Sequence, residues 1–187
     1  MNSQTDGRRT GSKERIRSLA LALFTEQGYE LTTLNQIADR LGMTRAAVLH
    51  HFGSKEALLT SSYGALLPEL DLVLARLDDG QRPRDSRIRA IERFAALVAG
   101  DHGRVLVCAQ VNESAMRAIA GADALRERLE KFTRAIAGDD TVEGRMRGRL
   151  AVSVVVMADA RGREVGGRLS ERRAAALRVA RELIDAG

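Results

Sequence analysis

The sequence has little of what many recognition and catalytic sites require. It contains one cysteine and no tryptophan, and aromatic residues make up 3% of its 187 residues. One thiol forms neither an internal disulfide nor a zinc site of several thiolates, so the composition fits a reducing, cytoplasmic compartment. The shortage of aromatic rings argues against recognition of bases or sugars chiefly by stacking.

Long apolar runs are also missing. The longest, Leu150 to Ala158, has nine residues and includes Ser153, whereas a membrane-spanning helix needs roughly 20. Residues 1–10 are polar, with Arg8 and Arg9 and no apolar stretch behind them. We therefore expect a flexible arm at the front rather than a secretory signal, and no membrane partner.

The charge of the chain is positive, and its excess is concentrated at the front. The formal net charge is +5 and the isoelectric point is about 10.1. The first 55 residues hold eight Lys and Arg against five Asp and Glu. Such a balance permits nucleic-acid binding without proving it.

The spacing of apolar residues predicts an all-α protein of about nine helices. There are only two prolines, and apolar residues recur at intervals of three and four. The first helix is expected from near Ser12 to Gly28. A fourth helix, capped by Ser54, is expected to carry Ala57 to Leu66 and to end or kink at Pro68. Beyond a loop over 78–83, the expected helices are one capped by Ser86, one from Gly103 to about Met116, one ended by Gly138, and two long ones over about 140–161 and 170–185.

Residues 33–52 have the pattern of a helix-turn-helix. Thr33 and Gln36 form a capping box at the start of one short helix, Gly42 ends it, and Thr44 can cap a second helix that runs from Arg45. In this motif the second helix enters the major groove of DNA. Clusters of short helices commonly contain such caps and glycines, so spacing alone leaves a plain structural bundle open as an alternative.

A denser set of residues resembles the DNA-binding domain of the TetR family of bacterial regulators, which are mostly repressors. The resemblance covers about residues 10–70 and is carried by Gly28-Tyr29, Thr32-Thr33, Ile37-Ala38, Leu41-Gly42, His51-Phe52 and Ser54-Lys55-Glu56-Ala57-Leu58-Leu59. It implies a three-helix helix-turn-helix domain over 10–70 and a helical ligand-binding and dimerisation domain over 71–187. The implied function is a ligand-responsive repressor that binds a palindromic operator in double-stranded DNA as a homodimer, with a small-molecule effector of unknown identity.

The resemblance also assigns the DNA contacts by position. They are Thr33, Asn35, Thr44, Arg45, Ala46, Ala47, Leu49, His50 and Lys55. Arg45, at the start of the reading helix, can pair with guanine or a phosphate, and Lys55 corresponds to the family's phosphate clamp. Leu49 stands where the family usually has a tyrosine that contacts the DNA backbone. Leucine cannot donate a hydrogen bond, and His50 beside it can take over that contact.

Two further sets of residues are expected in the second domain. Helices spanning 57–77, 86–99, 103–117 and 122–137 are expected to enclose a mostly apolar ligand pocket, with Cys108, Gln110, Asn112 and Met116 as polar or soft contacts. Cys108 and Met116 are as well explained as core residues. The last two helices carry more apolar surface than one small bundle covers, which predicts a four-helix dimer interface. Its expected members are Met146, Leu150, Val154, Met157, Leu177, Ala180 and Ile184.

Other functions remain open from the sequence. A nonspecific or architectural DNA binder would carry the same charge, and a ligand-binding protein with impaired DNA binding is compatible with Leu49. An enzyme is the least favoured class because no set of residues stands out for catalysis. No cofactor is expected. No metal is expected either, since the adjacent His50 and His51 point in different directions on a helix.

Overall fold

The computed structural model describes residues 3–64, 66–77, 83–100, 102–160 and 162–186, and these ranges are all-helical, as predicted. They contain twelve α-helices and one 3-10 helix, against about nine helices predicted. The elements are α1 Ser3–Glu26, α2 Leu34–Leu41, α3 Arg45–Phe52, α4 Lys55–Thr60, α5 Leu66–Ala75, α6 Arg84–Ala99, α7 Gly103–Val111, α8 Glu113–Met116, η1 Ala120–Ala122, α9 Asp123–Ala137, α10 Val142–Ala160, α11 Gly162–Val165 and α12 Leu169–Asp185. The additional helices are the short α11 and two pairs, α4 with α5 and α7 with α8, that had each been predicted as one helix.

The first helix begins nine residues earlier than predicted. It starts at Ser3 rather than near Ser12, so most of the expected arm is helical; Met1 and Asn2 lie outside the described residues. The sequence signal marked the buried part, where Ile16 and Phe24 are fully enclosed. Apolar periodicity shows where a helix is covered by other elements, and it does not show where a helix starts.

The short helices that follow have the predicted caps. The Thr33 hydroxyl accepts from the Gln36 backbone N–H at 3.2 Å while the Gln36 side chain accepts from the Thr33 N–H at 2.8 Å. Gly42 ends α2 in the left-handed conformation, with φ +64°. The side chains of Thr44 and Ser54 cap α3 and α4 by accepting from the backbone N–H groups of Ala47 and Ala57, without a reciprocal side-chain bond. The three helix starts are therefore determined by local chemistry that the sequence displays.

The predicted effect of Pro68 was wrong. The fourth helix stops at Thr60, eight residues before the proline, and Pro68 lies instead in the first turn of α5. The first turn of a helix has no intrahelical acceptors for its N–H groups, so a residue without an N–H is tolerated there. Pro68 thus marks the start of a helix rather than the end of one.

Two other predicted boundaries also need correction. Ser86 does not cap α6, which follows Pro83; the Ser86 hydroxyl instead accepts from the Arg89 guanidinium at 3.1 Å. The helix from Gly103 is broken at Asn112, whose side chain bonds both the Cys108 carbonyl within α7 and the Phe24 carbonyl of α1. Of the predicted loop over 78–83, only Pro83 lies among the described residues.

The core of the second half lies among α6, α7, α9, α10 and α12. Residues 105–109 of α7 are all buried, as predicted for a central helix. The rings of Phe94 on α6 and Phe132 on α9 stack with their centroids 5.0 Å apart. Gly148 allows α10 to approach α9 closely, because a Cβ at this position would lie 2.5 Å from the carbonyl oxygen of Thr133. No helix in the described ranges is long and apolar enough to cross a membrane.

Candidate nucleic-acid interface and effector cavity

The helix α3 presents one side to solvent and anchors the other in the core. Val48 is fully buried, whereas Thr44, Arg45, Ala46 and His50 are exposed. The anchor fixes the position of the helix, and the exposed set includes a guanidinium, an imidazole and a methyl group. These groups can respectively pair with guanine or a phosphate, donate to a phosphate, and contact a thymine methyl.

The remaining predicted contacts surround this exposed surface. Thr33 and Asn35, at the start of α2, are exposed, and Ala47 and Leu49 on α3 are half-buried. The N-terminus of α3 also offers backbone N–H groups to an anion. The structure therefore brings eight of the nine predicted DNA-contact residues to α3 and the start of α2.

Lys55 is the ninth, and its side chain points to the protein. Its ammonium donates to the carbonyl oxygens of Tyr29 at 2.8 Å and Thr32 at 3.0 Å, with Glu30 at 3.5 Å. It also lies 4.2 Å from the centroid of the Tyr29 ring. Burial lowers the pKa of Lys55, against the opposing effect of Glu30. An ammonium has three donors, and in this structure they are directed at the carbonyls of this loop. Lys55 therefore has a structural role here, and its contact with a phosphate stays a prediction.

A cavity of about 740 Å³ opens between α6, α7, α8, α9 and α10. Its lining combines apolar and charged side chains: Phe94, Leu106, Ala109, Gln110, Glu113, Met116, Arg117, Leu125, Arg126, Leu129, Glu130, Thr133, Arg149, Val152, Ser153 and Val156. Of the four residues predicted as ligand contacts, Gln110 and Met116 line this cavity. No described residue of the predicted wall 57–77 lines it, and α10 supplies that wall instead.

Cys108 and Asn112 do not line this cavity, although both were predicted to. Both lie on the side of α7 that faces α1. Asn112 hydrogen-bonds the carbonyl oxygen of Phe24. Burial raises the pKa of the Cys108 thiol to about 12, even though hydrogen bonds with Thr25 and Asn112 act to lower it. A thiol that stays protonated at neutral pH is unreactive, so Cys108 serves as core.

Three charged side chains at the cavity form a cluster that the sequence did not reveal. Glu113 accepts from Arg117 at 3.0 Å and also from Arg149, which reaches across from α10. Burial acts to raise the pKa of the Glu113 carboxyl, but the two arginines outweigh it and the pKa lies below its ordinary value. Arg149 lies 36 residues from Glu113 along the chain, and no local sequence pattern indicates that the two side chains pair. The two guanidiniums therefore converge on the position of one carboxylate.

An apolar face on α10 is exposed in the single chain. Val142, Met146 and Leu150 are 67%, 61% and 51% exposed, and Met157 follows on the same helix. Val154 and Leu177 of the predicted dimer interface are half-buried. Contiguous apolar surface of this kind is uncommon on a monomer.

Two residues predicted for the dimer interface belong inside the chain. Ala180 is 0% and Ile184 2% exposed, because α12 directs them at the helices it packs against within the same chain. Periodicity places residues on a face, but it does not distinguish the face toward the chain's own core from the face toward a partner.

Comparison with known proteins connects the first of these sites to a family. Residues 16–61 match the family described as "Bacterial regulatory proteins, tetR family". An HTH-type transcriptional repressor of Mycobacterium tuberculosis is 36% identical over 107 residues, which cover 54% of this chain and 50% of that protein. The HTH-type transcriptional repressor KstR2 of Rhodococcus jostii is 32% identical over 62 residues, covering 33% of this chain and 30% of that one. The chain thus spans half or less of the length of these curated relatives.

Solved structures share the fold over nearly the whole chain. A TetR-family transcriptional regulator from Bordetella parapertussis superposes with a TM-score of 0.66 at 19% identity, covering 92% of this chain and 94% of that one. The ketosteroid transcriptional regulator KstR2 of Mycobacterium tuberculosis superposes with a TM-score of 0.63 at 18% identity, covering 100% and 95%. At these identities the likeness concerns the fold.

Proposed function

We propose that this chain, whose residues 16–61 match the family of TetR-type bacterial regulatory proteins, is a ligand-responsive repressor of that family that binds a palindromic operator as a homodimer. The observation that carries the proposal is the capped, exposed α3, anchored by Val48 and bearing Arg45 at its start. In this proposal, residues 10–70 are the DNA-binding domain and residues 71–187 are the ligand-binding and dimerisation domain.

A palindromic operator requires a second copy of the chain, and the exposed apolar face of α10 is the surface on which we propose that this copy packs. Met146 and Leu150 are four residues apart on one side of the helix, and both are exposed. A second copy related by a two-fold axis would cover this face with the same face. Two reading helices then meet two half-sites of opposite orientation, so the symmetry of the protein demands a symmetric operator.

Arg45 tests the reading function. Arg45→Ala is expected to cost about 1–3 kcal/mol on the preferred site and to relax the preference at one base position, because a bidentate pair with guanine would be lost. The measurement is fluorescence anisotropy with a selected site and with single-base variants. Arg40→Ala, an exposed arginine on α2, is the matched control. Equal loss on every sequence would remove Arg45 from base reading and favour a nonspecific binder.

The cavity supports the ligand response and indicates the class of ligand. Its apolar walls include Phe94, Leu125 and Val156, and Arg117 and Arg149 hold a carboxylate at its opening. An apolar molecule with one carboxylate matches both features, since its anionic end can replace Glu113 between the arginines. Such a ligand weakens DNA binding if it binds better to a conformation in which the reading helices are wrongly spaced, and by linkage DNA then weakens the ligand equally.

Decanoate and decyltrimethylammonium, which share a chain length and differ in charge, test the ligand class. Decanoate is expected to raise the melting temperature and to lower affinity for the operator, and Arg149→Gln to reduce both effects. Stabilisation by the cation instead, or no response to either probe, would contradict the proposed class. No DNA binding by the ligand-free protein, together with retained decanoate binding, would favour a ligand-binding protein that has lost its DNA function.

A further inference from the structure

Asn112 connects the two halves of the chain with a set of hydrogen bonds that uses its whole side chain. Its Nδ2 donates to the carbonyl oxygen of Phe24 at 2.8 Å and to that of Cys108 at 2.9 Å. Its Oδ1 accepts from the backbone N–H of Tyr29 at 2.7 Å. The donors and acceptors around it fix the orientation of the amide, because two carbonyls need a donor and one N–H needs an acceptor. Asn112 is itself buried, so these bonds are shielded from water.

The atoms that Asn112 holds are those that the end of α1 leaves unpaired. Helix α1 ends at Glu26, and Gly28 turns the chain with φ +94° before Tyr29. The last four carbonyls of a helix, Phe24 among them, lack intrahelical partners, and the N–H of Tyr29 beyond the Gly28 turn also needs an acceptor. Asn112 supplies both partners at this helix end, from a position more than 80 residues further along the chain.

The anchored segment leads directly to the DNA-reading helices. The carbonyl oxygen of Tyr29 accepts from Lys55, the first residue of α4, and its ring lies beneath the same ammonium. Thr32, three residues on, is fully buried and accepts from Lys55 through its carbonyl. The loop from Tyr29 then ends at Thr33, the cap of α2. Asn112, Tyr29 and Lys55 thus form one hydrogen-bonded path from α7 to both sides of the helix-turn-helix.

The neighbours of Asn112 belong to the cavity. Glu113 and Met116 of α8 line it, and the Met116 sulfur lies 3.1 Å from the hydroxyl of Tyr63. The four-residue helix α8 therefore has the cavity on one side, Asn112 at its start and a contact to the segment after α4 at its end. A shift of α8 would move the attachment of the reading domain.

We propose that Asn112 is a positioning residue that fixes the reading domain relative to the dimerisation half and thereby sets the spacing between half-sites that the dimer accepts. The inference rests on the proposed function and deepens it. Two half-sites are read at one spacing only if each reading helix is held rigidly to the dimer core. The Asn112 bonds to α1 and to the segment after it provide that rigidity at the junction.

Selection from random duplex DNA tests this inference with matched variants. Asn112→Ala removes all three bonds, whereas Asn112→Ser can keep the bond to the Cys108 carbonyl four residues back and loses reach to α1. Both are expected to recover the same half-site as the unmodified protein but at several spacings. Their affinity for the preferred spacing is expected to fall about tenfold, within the range usual for coupling between sites.

The control separates positioning from stability. Arg87 is buried and donates to the carbonyl oxygens of Ile136 and Ile184, all within the second half of the chain. Arg87→Leu is therefore expected to lower the melting temperature while the selected spacing stays single. A single spacing in both Asn112 variants, or relaxed spacing in Arg87→Leu as well, would overturn the inference. If the unmodified protein selects no palindrome, the proposed function fails instead.

Hydrogen exchange on the unmodified protein gives a second readout that does not depend on a variant that folds. Within the described part of the chain, the Asn112 Oδ1 is the acceptor of the Tyr29 amide. It is expected to exchange as slowly as amides inside α1. Exchange at the rate of an exposed loop amide would show that the bonds do not hold in solution, and it would contradict the proposed role.

Discussion

Individual side chains in the proposed reading domain divide into those exposed on the proposed DNA-binding surface and those that hold the domain together. Lys55 belongs to the second group, because its ammonium is surrounded by backbone carbonyls and the Tyr29 ring. The resemblance to the family placed it against a phosphate. A sequence motif predicts where along the chain a lysine lies. It does not predict which carbonyl oxygens the folded chain brings within hydrogen-bonding distance of the ammonium.

Substituting Lys55 distinguishes the two roles. Lys55→Met keeps most of the stem and removes the donors, so the carbonyls of Tyr29 and Thr32 lose a hydrogen bond. We expect the free energy of unfolding to fall by about 1–3 kcal/mol, measured by urea denaturation, while the salt dependence of DNA binding stays unchanged. A decrease of about one in that slope at unchanged stability would instead restore the phosphate contact.

Local chemistry explains why some residues were predictable and others were not. The caps Thr33, Thr44 and Ser54 each bond a backbone N–H three residues away, so the sequence displays both partners. Asn112 was predicted to contact a ligand, and two of its hydrogen bonds join it to residues 83 and 88 positions away. Nothing in the neighbouring sequence indicates such a pairing.

Among the helices, contact between α9 and α10 depends on a missing side chain. Gly148 faces the backbone of Thr133 and Ala137 on the neighbouring helix. Glycine is unfavourable inside a helix by roughly 0.5–1 kcal/mol relative to alanine, so its presence here reflects packing. The sequence pattern predicted the two helices and their apolar stripes, but the distance between helices depends on tertiary contacts that periodicity does not contain.

Gly148→Ala tests this close approach. The added methyl would lie 2.5 Å from the carbonyl oxygen of Thr133, and the helices must separate. We expect a net loss of about 1–3 kcal/mol in stability, as for other overpacked positions. The matched control is Gly11→Ala in α1, where the added carbon would meet no other described element of the chain within 4 Å, and a gain of up to about 1 kcal/mol is expected. Equal stability of both variants in chemical denaturation would contradict the packing role of Gly148.

At the scale of the whole molecule, the proposed mechanism needs two chains. The exposed face of α10 is the surface that a second copy would cover, while Ala180 and Ile184, which the sequence predicts to extend it, are buried inside the single chain. The number of helices and their stripes indicated an excess of apolar surface. Only the packed structure distinguishes the apolar surface that faces the core from the apolar surface that remains for a partner.

Leu150→Glu tests the role of this face. A carboxylate in the proposed interface would be buried without a partner, so we expect a monomer in sedimentation and at least tenfold weaker operator binding. Because Leu150 is half exposed in the single chain, the circular dichroism spectrum should remain that of the unmodified protein. Leu72→Glu, at a similarly exposed leucine on α5, should remain dimeric. A dimer that survives Leu150→Glu would place the interface elsewhere.

Selection from random duplex DNA with the purified chain at near-physiological salt tests the regulator proposal most directly. We predict recovery of an inverted repeat whose half-site centres are about one helical turn of DNA, or a multiple of it, apart. Retention of all sequences alike, with strong dependence on salt and no recovered motif, would contradict a sequence-specific dimeric regulator and indicate binding to the phosphate backbone alone.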